Sequence, residues 1–293
     1  MKAGVVHQVH PGVRAVLAPN AGPFTYWGTW SYMLGQGAVT LIDPGPDDDR
    51  HLAALLAALG PGEHIAEILL THSHRDHSGL TPKLKAATGA RVTAFGPSDA
   101  GMSEVMQRFG PSLIGGEGVD QAFAPDRCVA DGERIELASG PLTVLHTPGH
   151  MCNHVAFVAE SFALTGDHVL GYASTYISPP HGDLAQFRES CRHLAALDVP
   201  VFLPGHGEVL TDPKGRLAWL EAHRDRREAR VLGALAGGPA QLADLARAAY
   251  PDVPEAALPA ASRNLLAHLV DLWARDIVRA EPEPANDAIW EIR

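Results

Sequence analysis

The run Thr71-His72-Ser73-His74-Arg75-Asp76-His77-Ser78-Gly79 sets three imidazoles and one carboxylate within six residues. It follows the apolar stretch Ile65-Ala66-Glu67-Ile68-Leu69-Leu70, so the four groups leave the end of a buried strand together. Imidazole nitrogen and carboxylate oxygen are the donors that a borderline divalent ion such as zinc accepts. Alternation lets His72 and His74 point one way while Asp76 and His77 turn towards a second position, a spacing that suits two metals. The chain holds 16 histidines, so a single one means little, but this ordered run is not a single one.

Four residues cannot saturate two metals, and three later segments supply more donors. Leu142–Thr147 reads as a strand followed by Pro148-Gly149-His150. Phe162–Thr165 is followed by Gly166-Asp167, and Val201–Leu203 by Pro204-Gly205-His206-Gly207. Each apolar run ends in a turn that carries one ligand-type side chain. Glycine and proline mark the turns where the backbone passes close to the site.

This ordered set, residues 72 to 206, resembles the metallo-β-lactamase-fold superfamily, and the flanking strand patterns extend the likeness to residues 13–212. The resemblance implies a first metal on His72, His74 and His150, a second on Asp76, His77 and His206, and Asp167 bridging the two. It implies a metal-bridging hydroxide as nucleophile, because two divalent ions lower the pKa of bound water and polarise the scissile oxygen. Asp76 is then the catalytic residue that orients the nucleophile and later receives a proton. Two zinc ions are expected, and manganese or iron suits the same donors.

Other residues carry weaker signals. Asp43, in Leu41-Ile42-Asp43-Pro44-Gly45, resembles the family's Asp-x-Gly turn beneath the metals, where it would hold a ligand; a plain turn aspartate is the alternative. His154 reads as a structural histidine of the next strand. His168 either supports a ligand or lines the cleft, and His181 lies in a turn where facing the substrate is the lesser expectation. Tyr26, Trp27 and Trp30 either build the substrate mouth or pack. Cys152 is expected to pack, since the ligand positions are filled without it.

The elements that position these groups read as follows. Strands are expected at 13–17, 31–34, 38–42, 65–70, 91–95, 128–138, 142–146, 154–159, 162–165 and 201–203, with helices at 48–59, 79–88 and 183–196. Residues 96–125, rich in Gly and Pro, read as an irregular flap near the cleft. Strands grouped with helices predict an α/β (α+β) fold, a four-layer αββα sandwich, over residues 1–212. Residues 213–293 form a second unit: a helix at 214–234, two more at 241–250 and 258–275, and a terminal hairpin from 277–280 and 288–293. Helix, helix and hairpin resemble a winged-helix module acting as a cap. With His223-Arg224-Asp225-Arg226-Arg227-Glu228 on the preceding helix, the whole resembles the β-lactamase-like-protein-2 group.

A net charge of −11 argues against a surface built wholly for nucleic acid. Lys214, Arg216, Arg224, Arg226, Arg227 and Arg230 make helix 214–230 locally basic, and a solvated face with ion pairs is the expectation there. No apolar run reaches the ~18 residues of a membrane span, and the first residues lack the apolar core of a signal peptide. A cytoplasmic protein is expected, with no membrane contact and a homodimer as the default assembly. Three cysteines, Cys128, Cys152 and Cys191, do not make a disulfide framework.

Several related classes fit less well. The best-known zinc β-lactamases use Cys where Asp167 stands, and glyoxalase II enzymes follow the last metal histidine with a basic tail rather than Gly207-Glu208-Val209-Leu210-Thr211-Asp212. Hydrolysis of a small ester, thioester or lactone is therefore the leading expectation, with a small molecule as partner. Single-stranded RNA cleavage stands second, and a nucleic-acid-binding regulator with an idle metal site third.

Overall fold

Along residues 13–17, Val13, Ala15 and Leu17 face one apolar core while Val16 faces another. Along residues 30–34, Trp30, Tyr32 and Leu34 face the first core and Met33 the second. This period of two, with both sides apolar, is what a strand covered on both faces requires. The structure, a computed structural model, describes residues 1–113 and 115–293.

These strands belong to a first sheet laid out in chain order: β1 (Val6–His10), β2 (Val13–Leu17), β3 (Trp30–Leu34), β4 (Ala38–Ile42), β5 (His64–Leu69), β6 (Arg91–Ala94) and β7 (Arg127–Cys128). Pairing is antiparallel from β1 to β4 and parallel from β4 to β7. A second sheet runs β8 (Arg134–Ile135), β9 (Leu142–His146), β10 (Val155–Val158) and β11 (Ala163–Gly166), all antiparallel, with β12 (Phe202–Pro204) parallel to β11. Val144, Val155, Phe157 and Leu203 of this sheet meet Trp30, Tyr32 and Leu69 of the first in the core between them.

Helix α1 (Asp49–Ala57), the single turn α2 (Arg75–Ser78) and α3 (Thr81–Thr88) follow the strands of the first sheet. Leu55 of α1 and Leu84 of α3 cover its outer face. A short helix α4 (Glu104–Phe109) comes next, then α5 (Leu184–Ala195) and the long α6 (Pro213–Leu235). Leu184, Phe187 and Leu194 of α5, with Leu217 and Leu220 of α6, cover the outer face of the second sheet. Asp48 caps α1 by accepting from Arg50 N at 2.8 Å, and Asp183 caps α5 by accepting from Ala185 N at 2.8 Å. The result is the expected αββα sandwich.

The C-terminal unit forms as its pattern predicts. Helices α7 (Leu242–Ala249) and α8 (Leu258–Ala274) pack on a small antiparallel sheet of β13 (Ala240–Gln241), β14 (Val278–Glu281) and β15 (Ile289–Ile292), in the order β13-β15-β14. Its core is built on fully buried Trp290, Leu265 and Leu269.

Four expectations change. The 79–88 helix is preceded by α2, so Asp76 and His77 sit on a helical turn rather than a loop. The expected strand 128–138 breaks at the Asp131-Gly132 turn: β7 belongs to the first sheet and β8 to the second. Strand β1 lies where no strand was expected; its residues alternate too weakly in polarity to announce it. The 96–125 segment is not wholly irregular. It holds α4, whose start is capped by the Ser103 hydroxyl accepting from Met106 N at 3.3 Å, and Met106, Phe109 and Leu113 enter the C-terminal core.

The segment therefore joins the two units physically. Phe109→Ala is expected to destabilise the C-terminal unit by about 3–5 kcal/mol, the usual cost of emptying a buried aromatic site. A chemical-denaturation midpoint that does not fall would show that this segment is not part of that core.

Candidate metal centre and cleft

Strand β5 is flanked by β4 and β6, and its continuation Leu70-Thr71-His72 is buried. Asp43 follows β4 at the same end of the sheet, with a backbone φ of 55°, a left-handed value that costs a non-glycine residue energy. Its carboxylate is over-determined by partners. Oδ1 accepts from Thr71 N at 2.8 Å, and Oδ2 accepts from the Thr71 hydroxyl at 2.7 Å and from His77 Nδ1 at 2.9 Å. The aspartate turn is thus a support beneath the site.

These bonds fix the histidine tautomers. The Thr71 hydroxyl spends its proton on Asp43, so it accepts from His72 Nδ1 at 3.0 Å. His150 Nδ1 donates to the Tyr176 carbonyl at 2.7 Å, and His206 Nδ1 donates to the Gly28 carbonyl at 3.0 Å. In His72, His77, His150 and His206 the outward nitrogen is tied down and Nε2 is left for the centre.

The seven sequence-selected residues come together. His72 Nε2 and His150 Nε2 lie 3.0 and 2.9 Å from His74 Nδ1. His206 Nε2 lies 3.3 Å from His77 Nε2 and 3.2 Å from Asp76 Oδ2. Asp167 stands between the groups, Oδ1 3.3 Å from His77 Nε2 and Oδ2 3.2 Å from His206 Nε2. Ligand atoms form the sets His72-His74-His150, His72-His77-Asp167 and Asp76-His77-His206, each within 4.8 Å.

The donor set fits metal ions. Nitrogens bound at 2.0–2.1 Å around a tetrahedral ion stand roughly 3.3 Å apart, close to the separations here. Buried Asp167 Oδ1 has no hydrogen-bond donor, an orphan that a cation would satisfy. Gly205 allows the close approach: a Cβ there would come 2.4 Å from Asp167 Oδ1 and 2.6 Å from the His77 ring. Gly149, just before His150, has φ of 137° and no room for a Cβ against the Phe187 backbone of α5, so only glycine lets that turn pack there.

Proton occupancy splits the histidines. Burial lowers His72, His74 and His150, His74 to about 3, and neighbouring imidazoles add to the effect at His72 and His74. Burial also works against the charged forms of His77 and His206, but the Asp167 and Asp76 carboxylates outweigh it. His77 rises, and His206 rises to about 9. For the Asp76 carboxyl, burial pulls upward and the His77 and His206 charges pull further down, leaving it well below the usual carboxylate range.

Over the set lies a cleft of about 510 Å³. Its apolar wall is built from Phe24, Leu170, Tyr176, Ala256, Pro259 and Ala260, the last three from the start of the C-terminal unit's α8 and the turn before it. Glu117 and Gly118 of the 96–125 segment also line it, as expected for a flap near the cleft.

The less decided residues resolve as follows. Trp30 is buried and donates Nε1–H to the Gly207 carbonyl at 2.8 Å, Trp27 packs on the inter-sheet core, and Tyr26 stacks on Tyr172. None of the three lines the cleft. Phe24, from the same loop, is the aromatic that does, and sequence reasoning missed it along with the α8 residues. His154 packs as expected, its Nδ1 2.8 Å from the Thr147 hydroxyl. His168 is buried against Phe187 and Cys191, away from the cleft. His181 has Gln121 as its neighbour and does not line the cleft. Cys152 donates to the Ser98 carbonyl at 3.1 Å and is no ligand.

Asp43→Asn is expected to lower metal affinity about 10–100-fold, the usual effect of losing a support behind a histidine ligand; metal content after dialysis reads it, and undiminished content would refute the supporting role. The proton pattern gives a second expectation. Metal entering between Asp76, His77 and His206 must expel protons held up to about pH 9, so its affinity rises with pH across the neutral range. The His72, His74 and His150 position is already neutral there and stays nearly flat. Calorimetric zinc titrations at about pH 6 and about pH 9 check this, and an equal pH response at both positions would contradict it.

The family model described as the metallo-beta-lactamase superfamily matches residues 25–206, and a beta-lactamase associated winged helix domain matches residues 242–290. The chain is 29% identical to a beta-lactamase-like protein 2 homolog from Drosophila melanogaster, covering 91% of this chain and 89% of that protein. It is 30% identical to an atrochrysone carboxyl ACP thioesterase from Aspergillus chevalieri, over 78% of this chain and 68% of that one. The fold matches a beta-lactamase domain protein from Burkholderia ambifaria with a TM-score of 0.82 and 23% identity, over 99% of this chain and 94% of that one. With its histidine and aspartate side chains gathered at the strand ends of an αββα sandwich, the chain belongs to the metallo-β-lactamase superfamily of hydrolases.

Proposed function

We propose that the protein is a dinuclear metal-dependent hydrolase of a small acyl thioester. The observation that carries this is the cleft itself: an apolar wall stands over the histidine–aspartate set, and among the described residues no Lys or Arg lines it. An apolar acyl group suits such a wall. A polynucleotide would need cationic contacts to its phosphates. The thioesterase relative supports the same substrate class.

His72, His74 and His150 would hold one ion, Asp76, His77 and His206 the other, and Asp167 would face both. Zinc is the ion proposed, on the imidazole-rich donor set. Ions held there supply a Lewis acid for the thioester carbonyl and bring the pKa of water towards neutrality.

The chain's own groups do the rest. The side chain of Asp76 is 31% exposed, against 10% for Asp167, so of the two carboxylates in the set it is the more open. Its Oδ2 accepts from the Thr29 hydroxyl at 3.3 Å, which holds the carboxylate in place. Water adds to the acyl carbon and its proton passes to the Asp76 carboxylate. The C–S bond then breaks, and the departing thiolate takes the proton, leaving a carboxylic acid and a thiol. A thiolate leaves readily, so one proton carrier suffices. Phe24, Tyr176 and Pro259 would seat the acyl group and exclude bulk water.

Residues 1–212 are proposed as the catalytic unit, with residues 213–293 as a second unit that completes the cleft wall. Among the described residues no helix is long and apolar enough to cross a membrane.

Metal-loaded protein is expected to hydrolyse acyl thioesters of coenzyme A or N-acetylcysteamine, with Asp76→Asn slowing turnover about 10²–10⁴-fold. Chelation should abolish the activity and zinc restore it. Cleavage of single-stranded RNA that disappears in Asp76→Asn, with no thioester turnover, would replace this proposal by the nuclease reading.

A further inference from the structure

Helices α6 and α8, the turn after α7 and the loop before Tyr176 line a second cavity, of about 60 Å³. Arg224, 2% exposed, His268, 1% exposed, and Tyr250, 3% exposed, form its buried lining. Ser174, His223, Arg227 and Asn264 stand half-buried around them. Among the described residues no carboxylate lines this cavity.

Its donors lack acceptors. Arg224 donates to the Thr175 carbonyl and, at 3.3 Å, to Asn264 Oδ1, and its Nε has no partner. Among the described residues both ring nitrogens of buried His268 are unpartnered. Arg227 lies 4.6 Å over the Tyr250 ring. The acids of α6 are engaged elsewhere: Glu221, Asp225 and Glu228 all pair with Arg188 of α5. Asn264 Oδ1, the amide acceptor in the lining, is already shared by Arg224 and Ile177 N.

A buried guanidinium without a counter-charge is costly, and neutral acceptors repay only part of it. Burial, then the crowding of neighbouring cations, pushes His268 well below its ordinary value, and burial brings Arg224 to about 10. A pocket rich in donors and poor in acceptors is complementary to a ligand that only accepts. An oxyanion is such a ligand, and guanidinium forks match its geometry.

We propose that this cavity binds a phosphoryl oxyanion, held by Arg224, Arg227 and His268. Its occupant sits beside the loop that serves the metal centre. Arg224 holds the Thr175 carbonyl, and the next carbonyl, that of Tyr176, accepts from metal-set His150. The shared chemistry has two sources: free inorganic phosphate, or the phosphate of a pantetheine arm, which rests on the thioester reading above.

Inorganic phosphate is the first probe, titrated calorimetrically into metal-loaded protein. Binding is expected to weaken about tenfold or more in Arg227→Leu and in His268→Leu, with metal content unchanged. Arg226→Leu, an exposed neighbour outside the cavity, is expected to keep wild-type affinity. Equal affinity in the wild type and both cavity variants overturns the proposal and assigns the phosphate to the metal centre. Equal weakening in Arg226→Leu also overturns it, as a general charge effect. 4′-Phosphopantetheine is the second probe. Tighter binding than inorganic phosphate, lost in both cavity variants, identifies the carrier arm; no gain over phosphate identifies a free oxyanion. Because these are binding measurements, they stand even where the thioester assay fails.

Discussion

One buried carboxylate, Asp43, carries the geometry of the histidine–aspartate set. It accepts from the backbone and hydroxyl of Thr71 and from the His77 ring. Those bonds fix the end of β5, the tautomer of His77 and, through the Thr71 hydroxyl, the tautomer of His72. The left-handed backbone at Asp43 is the cost of turning its side chain back under the site. Neutralise it and His77 loses its anionic acceptor directly, while the Thr71 hydroxyl that accepts from His72 loses the group that orients it. Sheet order makes this possible: β4 and β5 are parallel neighbours, so their carboxyl ends, and the residues that follow, lie side by side.

The same sheet logic delivers the remaining donors. The turns after β9, β11 and β12 supply His150, Asp167 and His206 from the second sheet, facing the Asp76–His77 turn of the first. A site made from two sheets needs the inter-sheet core to hold its spacing. Trp30 and Tyr32 do this directly, donating to the Gly207 and Pro204 carbonyls on either side of His206. Both act through position; for Trp30, whose sequence context left a substrate mouth or packing open, the outcome is packing.

What was legible in the sequence follows from which interactions are local. His72, His74, Asp76 and His77 are adjacent in the chain, and His150, Asp167 and His206 each sit in a Gly-marked turn after a strand, so type and spacing brought all seven forward as candidates. The sandwich was legible because most of its strands read as short apolar runs. Phe24, Ala256, Pro259 and Ala260 were not legible: they meet only because the C-terminal unit folds back over the cleft, a contact between residues more than two hundred positions apart. The role of the 96–125 segment was hidden for the same reason. Ser103-Glu104 was a readable helix start, but nothing local says that Phe109 packs beside Trp273 in the other unit.

Charge placement ties the two units together and explains an apparent contradiction on α6. As a string of arginines, that helix reads like a track for a polyanion. In the fold, Arg216 is turned inward to the Leu170 and Ala173 carbonyls and Arg224 to that of Thr175, so these cations brace the loop behind the cleft. The chain carries 34 acidic against 23 basic residues, and some of the basic ones are spent inside, so the outer field is acidic. A long polynucleotide would feel that field along its whole length. A single phosphoryl group in the cavity beside Arg224 would be sheltered from it and would meet the Arg224 and Arg227 guanidinium groups with no carboxylate among the described lining residues. The same arginines thus weaken the case for nucleic acid on the surface and strengthen the case for a small anion within.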